Sequence, residues 1–425
     1  MQTKRKVYFA GTLSPQRPGT SGGEIREYHL LRTLLDWANV WGTWLFPNTD
    51  GGTTWRGVLQ NIRLARRPMP NLQAKIWWHA SRAIGWWWAR HWPLLTPWPA
   101  EVTYYAARWR ATLLKQLSQD LHTLVPDIFM ISPQVNPLPL LIKRRGANNT
   151  RWVLSTFDVE AERLPRLAQA YHGLARWAAK WDAQRALAYE KALLKRIDGV
   201  IAVSKRDRET LVEKYEISPP RVWVAANGVD IQFFSFQPPP PPAPPTVLFV
   251  GTLGYPANHL AARRLIQRIM PRVRQSIPQA RLWLVGRSPK PSLLKLLGPS
   301  DFVFANVPDV RPYYRQAQVI CVPLEIGSGT KLKVLEALSV GRVVVATSVA
   351  LEGLALQPEE HLFLGDDDEA LANKIAAVLQ APHHYTPLRR RARQWVEHHY
   401  AWEVTMAGLT EWLEHLLQLP PRRVS

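Results

Sequence analysis

Short apolar runs alternate with helix-periodic segments along most of this chain. The runs are continuous and end at turn residues, which is typical of strands that are buried on both faces. Helical patterns lie between successive runs, so the chain is predicted to be α/β, with two doubly wound domains built on parallel sheets. The predicted strands are 6–10, 40–46, 127–131, 151–154 and 199–203 in the first half, and 247–250, 281–285, 302–304, 319–322 and 343–346 in the second.

Helical periodicity is clear after the first predicted strand and again at the end of the chain. Leu30, Leu31 and Leu34 recur at helical spacing, which predicts a helix in the first case. The last segment, from about residue 387 to 419, is helical in pattern and contains no predicted strand.

A proline-rich segment, residues 238–245, separates the two series. Proline fixes φ and lacks an N–H donor, so this segment neither pairs in a sheet nor continues a helix. As polyproline II it would be a semi-rigid spacer. We therefore predict a first domain over 1–237, a hinge at 238–245, a second domain over 246–386 and a C-terminal helical segment over 387–425.

The first domain is predicted to carry a tryptophan-rich insertion, residues 72–110, which holds eight of the chain's 20 tryptophans. On a helical wheel, basic side chains that include Arg82 and Arg90 lie opposite an aromatic and aliphatic face. That face includes Trp87 and Trp88. A basic face opposite an aromatic face predicts peripheral contact with an anionic membrane. A core helix whose arginines extend to solvent would show the same pattern.

The formal net charge of +21 calls for an anionic partner, although an arginine-rich surface from a basic proteome would also produce it. No nucleic-acid-binding module is recognisable, so we predict no nucleic-acid partner. Cys321 is the one cysteine, and therefore no disulfide partner exists within the chain. No signal peptide and no membrane-spanning run is recognisable. We expect a cytoplasmic protein, free or attached to the inner face of the cytoplasmic membrane.

A glycine-rich loop at 327–331 follows a predicted strand and leads into a predicted helix. Such a loop leaves backbone N–H groups at a helix N-terminus, where the helix dipole favours an anion. Lys331 and Lys333 lie where a cation is disfavoured unless an anion is near. Glu336 follows a turn later and could accept hydrogen bonds from vicinal hydroxyls. A phosphate with a neighbouring sugar suits all three residues, and an ordinary turn with two solvated lysines is the alternative.

Other short motifs accompany this loop in a fixed order. They are 249–251, 256–258, 284–286, 307–311 with Tyr314, and 322–324 in the second domain, and Gly22-Gly23 with Arg26, 158–160, 203–204 and 227–230 in the first. Together they resemble the family-4 glycosyltransferases of the GT-B fold (glycosyl transferases group 1), in the branch with a G-S-G-T-[R/K]-x-K donor loop. The resemblance covers nearly the whole chain.

The resemblance implies a retaining, metal-independent glycosyltransferase of the hexosyltransferase type that uses no cofactor. It would move a sugar from a UDP- or GDP-sugar to a glycan or lipid-linked acceptor, in the biosynthesis of a cell-surface polysaccharide. The implied fold is two Rossmann-like domains that face each other across a cleft. The acceptor side would be the first domain, and the C-terminal helices would pack back toward it.

The resemblance also assigns a donor-binding set in the second domain. Lys331, with the N–H groups of Gly329 and Thr330, would neutralise the diphosphate leaving group. Glu336 would hold the ribose hydroxyls. The full donor set is Gly251, Thr252, Gly286, Glu325, Ser328, Gly329, Thr330, Lys331, Leu332 and Glu336.

In the first domain, Gly22, Gly23 and Arg26 match the family's acceptor or phosphate loop, although a plain turn before a helix would also account for the glycines. Asp158 and Glu160 are the candidate catalytic residues for acceptor contact, and a capping role for Asp158 stays open.

Two positions depart from the family pattern. Ser328 stands where many members have a glutamate, and Thr252 stands where an arginine is common. The strand end at 131–133 also lacks the histidine that is common near the acceptor. These departures leave one alternative function, a catalytically weak protein that binds a nucleotide-sugar or acts as a scaffold with the same fold.

Overall fold

The computed structural model divides the chain into two compact units, Met1–Ala225 with Met406–Ser425, and Ala226–Thr405. The structure describes residues 4–13, 22–46, 63–64, 110–132, 149–159, 163, 165, 169, 173–238, 244–327 and 329–422. Most of the tryptophan-rich insertion, Glu160, Ser328 and the middle of the proline-rich segment therefore lie outside the described residues.

Each unit is built on one parallel sheet. The first sheet has the order β3-β2-β1-β4-β5-β6-β7, and the second has the order β10-β9-β8-β11-β12-β13. The strands of the first are β1 Arg5–Leu13, β2 Ala38–Phe46, β3 Arg63–Leu64, β4 Ile128–Ile131, β5 Arg151–Ser155, β6 Gly199–Ala202 and β7 Val222–Val224. Those of the second are β8 Thr246–Val250, β9 Arg281–Gly286, β10 Asp301–Ala305, β11 Val319–Val322, β12 Val343–Ala346 and β13 Phe363–Leu364.

Helices connect the strands, as a parallel sheet requires. In chain order they are α1 Gly22–Trp37, α2 Arg110–Leu124, α3 Gly173–Leu194, α4 Lys205–Glu213, α5 Pro256–Arg264, α6 Met270–Ser276, α7 Pro291–Leu294, α8 Arg311–Gln316, α9 Leu332–Ser339, α10 Ser348–Leu351, α11 Asp368–Gln380, α12 Thr386–Tyr400, α13 Trp402–Thr405 and α14 Leu409–Gln418. None of the helices in the described part of the chain is long and apolar enough to cross a membrane.

All ten predicted strands are present, and the central strands of both sheets are almost completely buried. Three further strands, β3, β7 and β13, were not predicted. Each is an outermost strand of its sheet and only two or three residues long. Such strands carry too short an apolar run to stand out in the sequence.

Helix α14 of the predicted C-terminal helical segment belongs to the first unit, whereas α12 and α13 of the same segment belong to the second. Arg5 at the start of β1 forms an ion pair with Glu414 at 2.7 Å. The indole N–H of Trp412 donates to the Pro220 carbonyl at 2.9 Å. The chain therefore returns to its first unit after leaving the second.

The division between the units comes between Ala225 and Ala226, before the proline-rich segment. Phe234 packs edge-to-face on Tyr314, with ring centroids 6.0 Å apart, and its carbonyl accepts a hydrogen bond from the Ser339 hydroxyl. These contacts join the residues just before the prolines to the core of the second unit.

Candidate functional site

The loops that follow β8 and β9 approach each other closely at the carboxyl edge of the second sheet. The Gly251 N–H donates to the Val285 carbonyl at 3.0 Å. A Cβ atom at Gly286 would overlap the Gly251 carbonyl, so only glycine fits there. In the sheet, β8 lies between β9 and β11. The strands that follow it in the chain are added first on the β9 side and then on the β11 side. Ligands of open α/β sheets bind outside the strand ends at such a switch point.

The glycine-rich loop lies after β11, on the other side of this switch point. Gly329 has a φ of +66°, a conformation that favours glycine. The side chain of Lys331 is buried, and its Nζ donates to the Gly329 carbonyl at 2.6 Å. The hydroxyl of Thr330 is buried and makes no hydrogen bond within the described part of the chain. Leu332 begins α9, so Lys331 occupies its N-cap position.

Lys333 reaches from the first turn of α9 to the end of β8. Its Nζ donates to Oδ1 of Asn258 at 2.6 Å and lies 4.4 Å from the centroid of the Phe249 ring. A Cβ atom at Gly251 would come within 2.7 Å of this ammonium group. Burial lowers the pKa of Lys333 to about 7, and the charge of Lys331 acts in the same direction. The carboxylate of Glu336 acts against this shift.

Glu336 is half-buried and oriented by Tyr314. The Tyr314 hydroxyl donates to Oε2 of Glu336 at 2.9 Å. Burial raises the pKa of Glu336, while the tyrosine hydroxyl and Lys333 oppose the rise. Burial and the nearby carboxylate also raise the pKa of Tyr314 well above its ordinary value. The buried Arg342 donates to the carbonyls of Tyr314 and Arg315, at 2.7 and 2.9 Å. The carboxylate is thus oriented by Tyr314 of α8, whose own backbone is held by Arg342.

Glu325 lies beside an arginine cluster at the start of the loop. One of its oxygens is 3.5 Å from Nη1 of Arg268 and 3.7 Å from Nε of Arg264. Arg264 is buried and pairs with Asp368 at 2.6 Å, and its Nη1 donates to the Pro323 carbonyl at 3.4 Å. The cluster therefore holds the loop where it leaves β11, and Glu325 is exposed at its edge.

In the first unit, the structure brings Gly23 and the segment after β5 together. Gly22 and Gly23 are the first residues of α1, and a Cβ atom at Gly23 would lie 3.5 Å from the Phe157 ring. Asp158 follows directly and is half-buried. Arg26 is buried and donates to the Ala225 carbonyl at 2.7 Å. Burial lowers its pKa to about 10.

Asn258, Tyr314 and Arg264 complete the second-unit site, and the candidate set from sequence contained none of them. Asn258 and Tyr314 stood in motifs that supported the resemblance, but no local pattern shows which side chain they contact. Lys333 and Asn258 are 75 positions apart, and Arg264 and Asp368 are 104 apart. Such pairs form only through tertiary packing.

The chemistry of the site follows from these groups. Backbone N–H groups and two ammonium groups suit an anion, and an oriented carboxylate beside them suits hydroxyl groups. Among the described residues there is no group of three or more His, Cys, Asp or Glu side chains that could hold a metal ion.

Comparison with known proteins gives matches to both units. The model for "Glycosyltransferase Family 4" matches residues 64–233, and the model for "Glycosyl transferases group 1" matches residues 244–381. No curated protein matches the chain in sequence.

Solved structures resemble the chain over nearly its full length. Sucrose-phosphate synthase from Thermosynechococcus elongatus is 17% identical, with a TM-score of 0.68 over 97% of this chain and 99% of that one. Anabaena HepE in complex with UDP-glucose is 12% identical, with a TM-score of 0.66 over 97% and 100%. A UDP-forming trehalose-phosphate synthase from Burkholderia xenovorans is 13% identical, with a TM-score of 0.64 over 98% and 100%. With both family models matched in order, the chain belongs to the family-4 glycosyltransferases (glycosyl transferases group 1) of the GT-B fold.

Proposed function

We propose that this glycosyltransferase moves a sugar from a UDP- or GDP-sugar to a glycan or lipid-linked acceptor, with retention of configuration and without a metal ion. The observation that carries the proposal is the grouping of Lys331, Thr330 and Glu336 at the switch point of the second sheet. These residues offer cationic, hydroxyl and carboxylate groups within one loop and the helix that follows it.

In this proposal the diphosphate binds at the glycine-rich loop. The N–H groups of Gly329 and Thr330 and the Thr330 hydroxyl would donate to phosphate oxygens. Lys331 would offset the charge that develops on the leaving diphosphate, which is the stabilisation that sugar transfer needs. The loop's own glycines let its backbone approach the phosphates without a side chain in the way.

Glu336 would hold the ribose. Its Oε2 is fixed by Tyr314, which leaves its other oxygen to accept hydrogen bonds from vicinal hydroxyls. HepE was solved with UDP-glucose, and the Burkholderia enzyme is UDP-forming. These neighbours make UDP-sugars the first donors to test.

The acceptor is assigned to the first unit, near Gly22, Gly23 and Asp158. Gly23 and the segment that carries Asp158 lie close together there. Arg26 supports this region through its bond to the Ala225 carbonyl. The product would enter a cell-surface polysaccharide made in the cytoplasm.

The outer face of α3 supports peripheral contact with an anionic membrane. Trp177 and Trp181 are 52% and 38% exposed, and Arg176 and Lys180 beside them are exposed as well. Exposed tryptophans with basic neighbours on one helix suit the headgroup region of a membrane. Replacing both tryptophans by alanine should reduce sedimentation with anionic vesicles at low salt. Equal sedimentation of this variant would count against contact through α3.

The experiment that tests the proposal measures release of nucleoside diphosphate. UDP-, GDP- and ADP-sugars are first screened by thermal shift, because a bound donor stabilises the folded state. The donors that bind are then incubated with an extract that contains acceptors. Turnover supports the proposal. Binding of a donor without turnover under any condition would instead favour the scaffold alternative, which the departures at Ser328 and Thr252 motivate.

A further inference from the structure

The sequence pattern of α9 predicts that Lys333 needs an anion nearby, and its ammonium group lies at the strand end where the donor is proposed to bind. It is held between Oδ1 of Asn258 and the face of the Phe249 ring. The backbone of Gly251 passes so close that any larger residue there would meet the ammonium group. Helix α9 thus supplies a cation to the loop after β8.

We infer that Lys333 binds the diphosphate of the donor directly, as a second cation beside Lys331, and takes up a proton when the donor binds. The inference rests on the proposed nucleotide-sugar site and adds a residue and a proton-linked step to it. Asn258 and Phe249 would hold the amine in place before the donor arrives.

The position of Lys333 is unfavourable for an ammonium group unless an anion lies near it. It lies in the first turn of α9, where the helix dipole disfavours a cation. Its contacts through Nζ are an amide oxygen and an aromatic ring, neither of which carries a negative charge. The carboxylate of Glu336 is shared with the Tyr314 hydroxyl. A diphosphate at the switch point would supply the charge that these neighbours lack.

The titration of Lys333 provides an independent signature. Burial holds its pKa near 7, and the charged groups that act on it are Glu336 and Lys331. Asn258, Phe249 and Tyr314, from the elements packed against it, carry no charge at neutral pH. About one pH unit below this pKa the amine is already almost fully charged, so binding of a diphosphate adds no further proton to it. Above pH 7 binding must first add a proton, so affinity should fall by up to about tenfold per pH unit.

The first experiment is calorimetric titration of the full chain with UDP, GDP and ADP and with the three corresponding nucleosides. For whichever diphosphate binds, Lys333→Met should weaken binding at least about tenfold at pH 7 and leave nucleoside affinity within about twofold. Lys295→Met, at an exposed lysine of the same unit, is the matched control and should change neither affinity.

The second experiment measures proton uptake, from the binding enthalpy in two buffers of different ionisation enthalpy. At pH 8 the wild type should take up about one proton with the diphosphate, and at pH 6 little. Lys333→Arg should bind without uptake, because a guanidinium stays charged. Adding Asn258→Lys to Lys333→Met returns a cation to the same place and should recover part of the lost diphosphate affinity.

The outcomes separate the inference from the proposed function. A folded Lys333→Met protein with wild-type diphosphate affinity overturns the inference alone, and so does wild-type binding at pH 8 without proton uptake. If the wild type binds none of the three diphosphates, the proposed function fails and the inference fails with it. If Lys333→Met does not fold, proton uptake by the wild type and its loss in Lys333→Arg decide the question.

Discussion

At the carboxyl edge of the second sheet, polar side chains reach from one element to another and meet near the surface. Lys333 of α9 contacts Asn258 of α5, and Tyr314 of α8 contacts Glu336 of α9. At the corresponding edge of the first sheet, the predicted basic residue Arg26 is fully buried and donates to the backbone of its own unit. At one edge the polar side chains of the motifs therefore group together on different elements, and at the other the basic residue of the motif is internal.

The two edges also differ in how tightly glycine is required. At Gly286 a side chain would overlap the backbone of Gly251, whereas at Gly23 a Cβ atom would make an ordinary contact with a ring. A motif glycine is therefore not equally constrained in the two units.

Gly286→Ala should destabilise the second unit by about 4 kcal/mol, because the new Cβ overlaps a carbonyl and the backbone has a φ of +155°. Urea denaturation followed by fluorescence measures this. Gly23→Ala, the matched change in the first unit, should cost less than about 1 kcal/mol. Equal losses of unfolding free energy in the two variants would contradict this difference between the two edges.

Lys331→Ala should lower kcat/KM for the donor, because the ammonium group would no longer offset the charge of the leaving diphosphate. The loss of transition-state stabilisation should be about 2–4 kcal/mol. Steady-state kinetics with the active donor measure it. Arg26→Met should lower the free energy of unfolding by about 1–3 kcal/mol through the lost bond to Ala225 and leave the donor KM unchanged. A change of less than a few-fold in Lys331→Ala would contradict its role.

Glu336→Ala should raise the donor KM with a smaller change in kcat, because a ribose contact is present in the ground state and the transition state alike. The rise in KM should correspond to a loss of about 1.5–3 kcal/mol in donor binding. Comparison of a nucleoside diphosphate with its 2′-deoxy analogue provides the control. The variant should lose most of its preference for the ribose form. A preference equal to that of the wild type would place the ribose elsewhere.

Tyr314→Phe should weaken donor binding by about 1 kcal/mol, which is the smallest of these effects. It should also shift the pH dependence of donor binding in a defined direction. The hydroxyl opposes the rise in the pKa of Glu336, so its removal raises that pKa further. The ionised carboxylate accepts the ribose hydrogen bonds, and donor affinity is therefore lost as pH falls through this pKa. In the variant the loss should begin at a higher pH. Donor affinity measured from pH 4 to 7 checks the direction.

Long buried strands were predictable from sequence, and very short strands at the sheet edges were not. Runs such as those of β8 and β11 are apolar without interruption, since both faces of the strand are buried. Strand β13 has two residues, and no periodicity can be read from two positions. Its pairing with β12, Val345 with Phe363 and Ala346 with Leu364, is a tertiary contact that two residues cannot indicate.

The candidate site was predictable in its backbone and less so in its side chains. The glycine-rich loop, the start of α9 and Glu336 were all placed from their spacing. Lys333 was visible as a basic residue of the first turn, but its direction depends on α5, which lies far away in the sequence. The partner of Arg26 was unreadable for the same reason, because Ala225 is 199 positions away.

The longer strands and helices, their order and the family of the chain could all be assigned from the amino-acid sequence. These are properties of local periodicity and of ordered motifs, and each can be read without knowing which residues are neighbours in space. The fold itself was needed to show that Lys333 lies against Asn258 at the end of β8, that Tyr314 orients Glu336, and that Arg26 is internal. Burial and hydrogen bonding set the charge and direction of a side chain, and both depend on groups that the fold brings from distant parts of the chain.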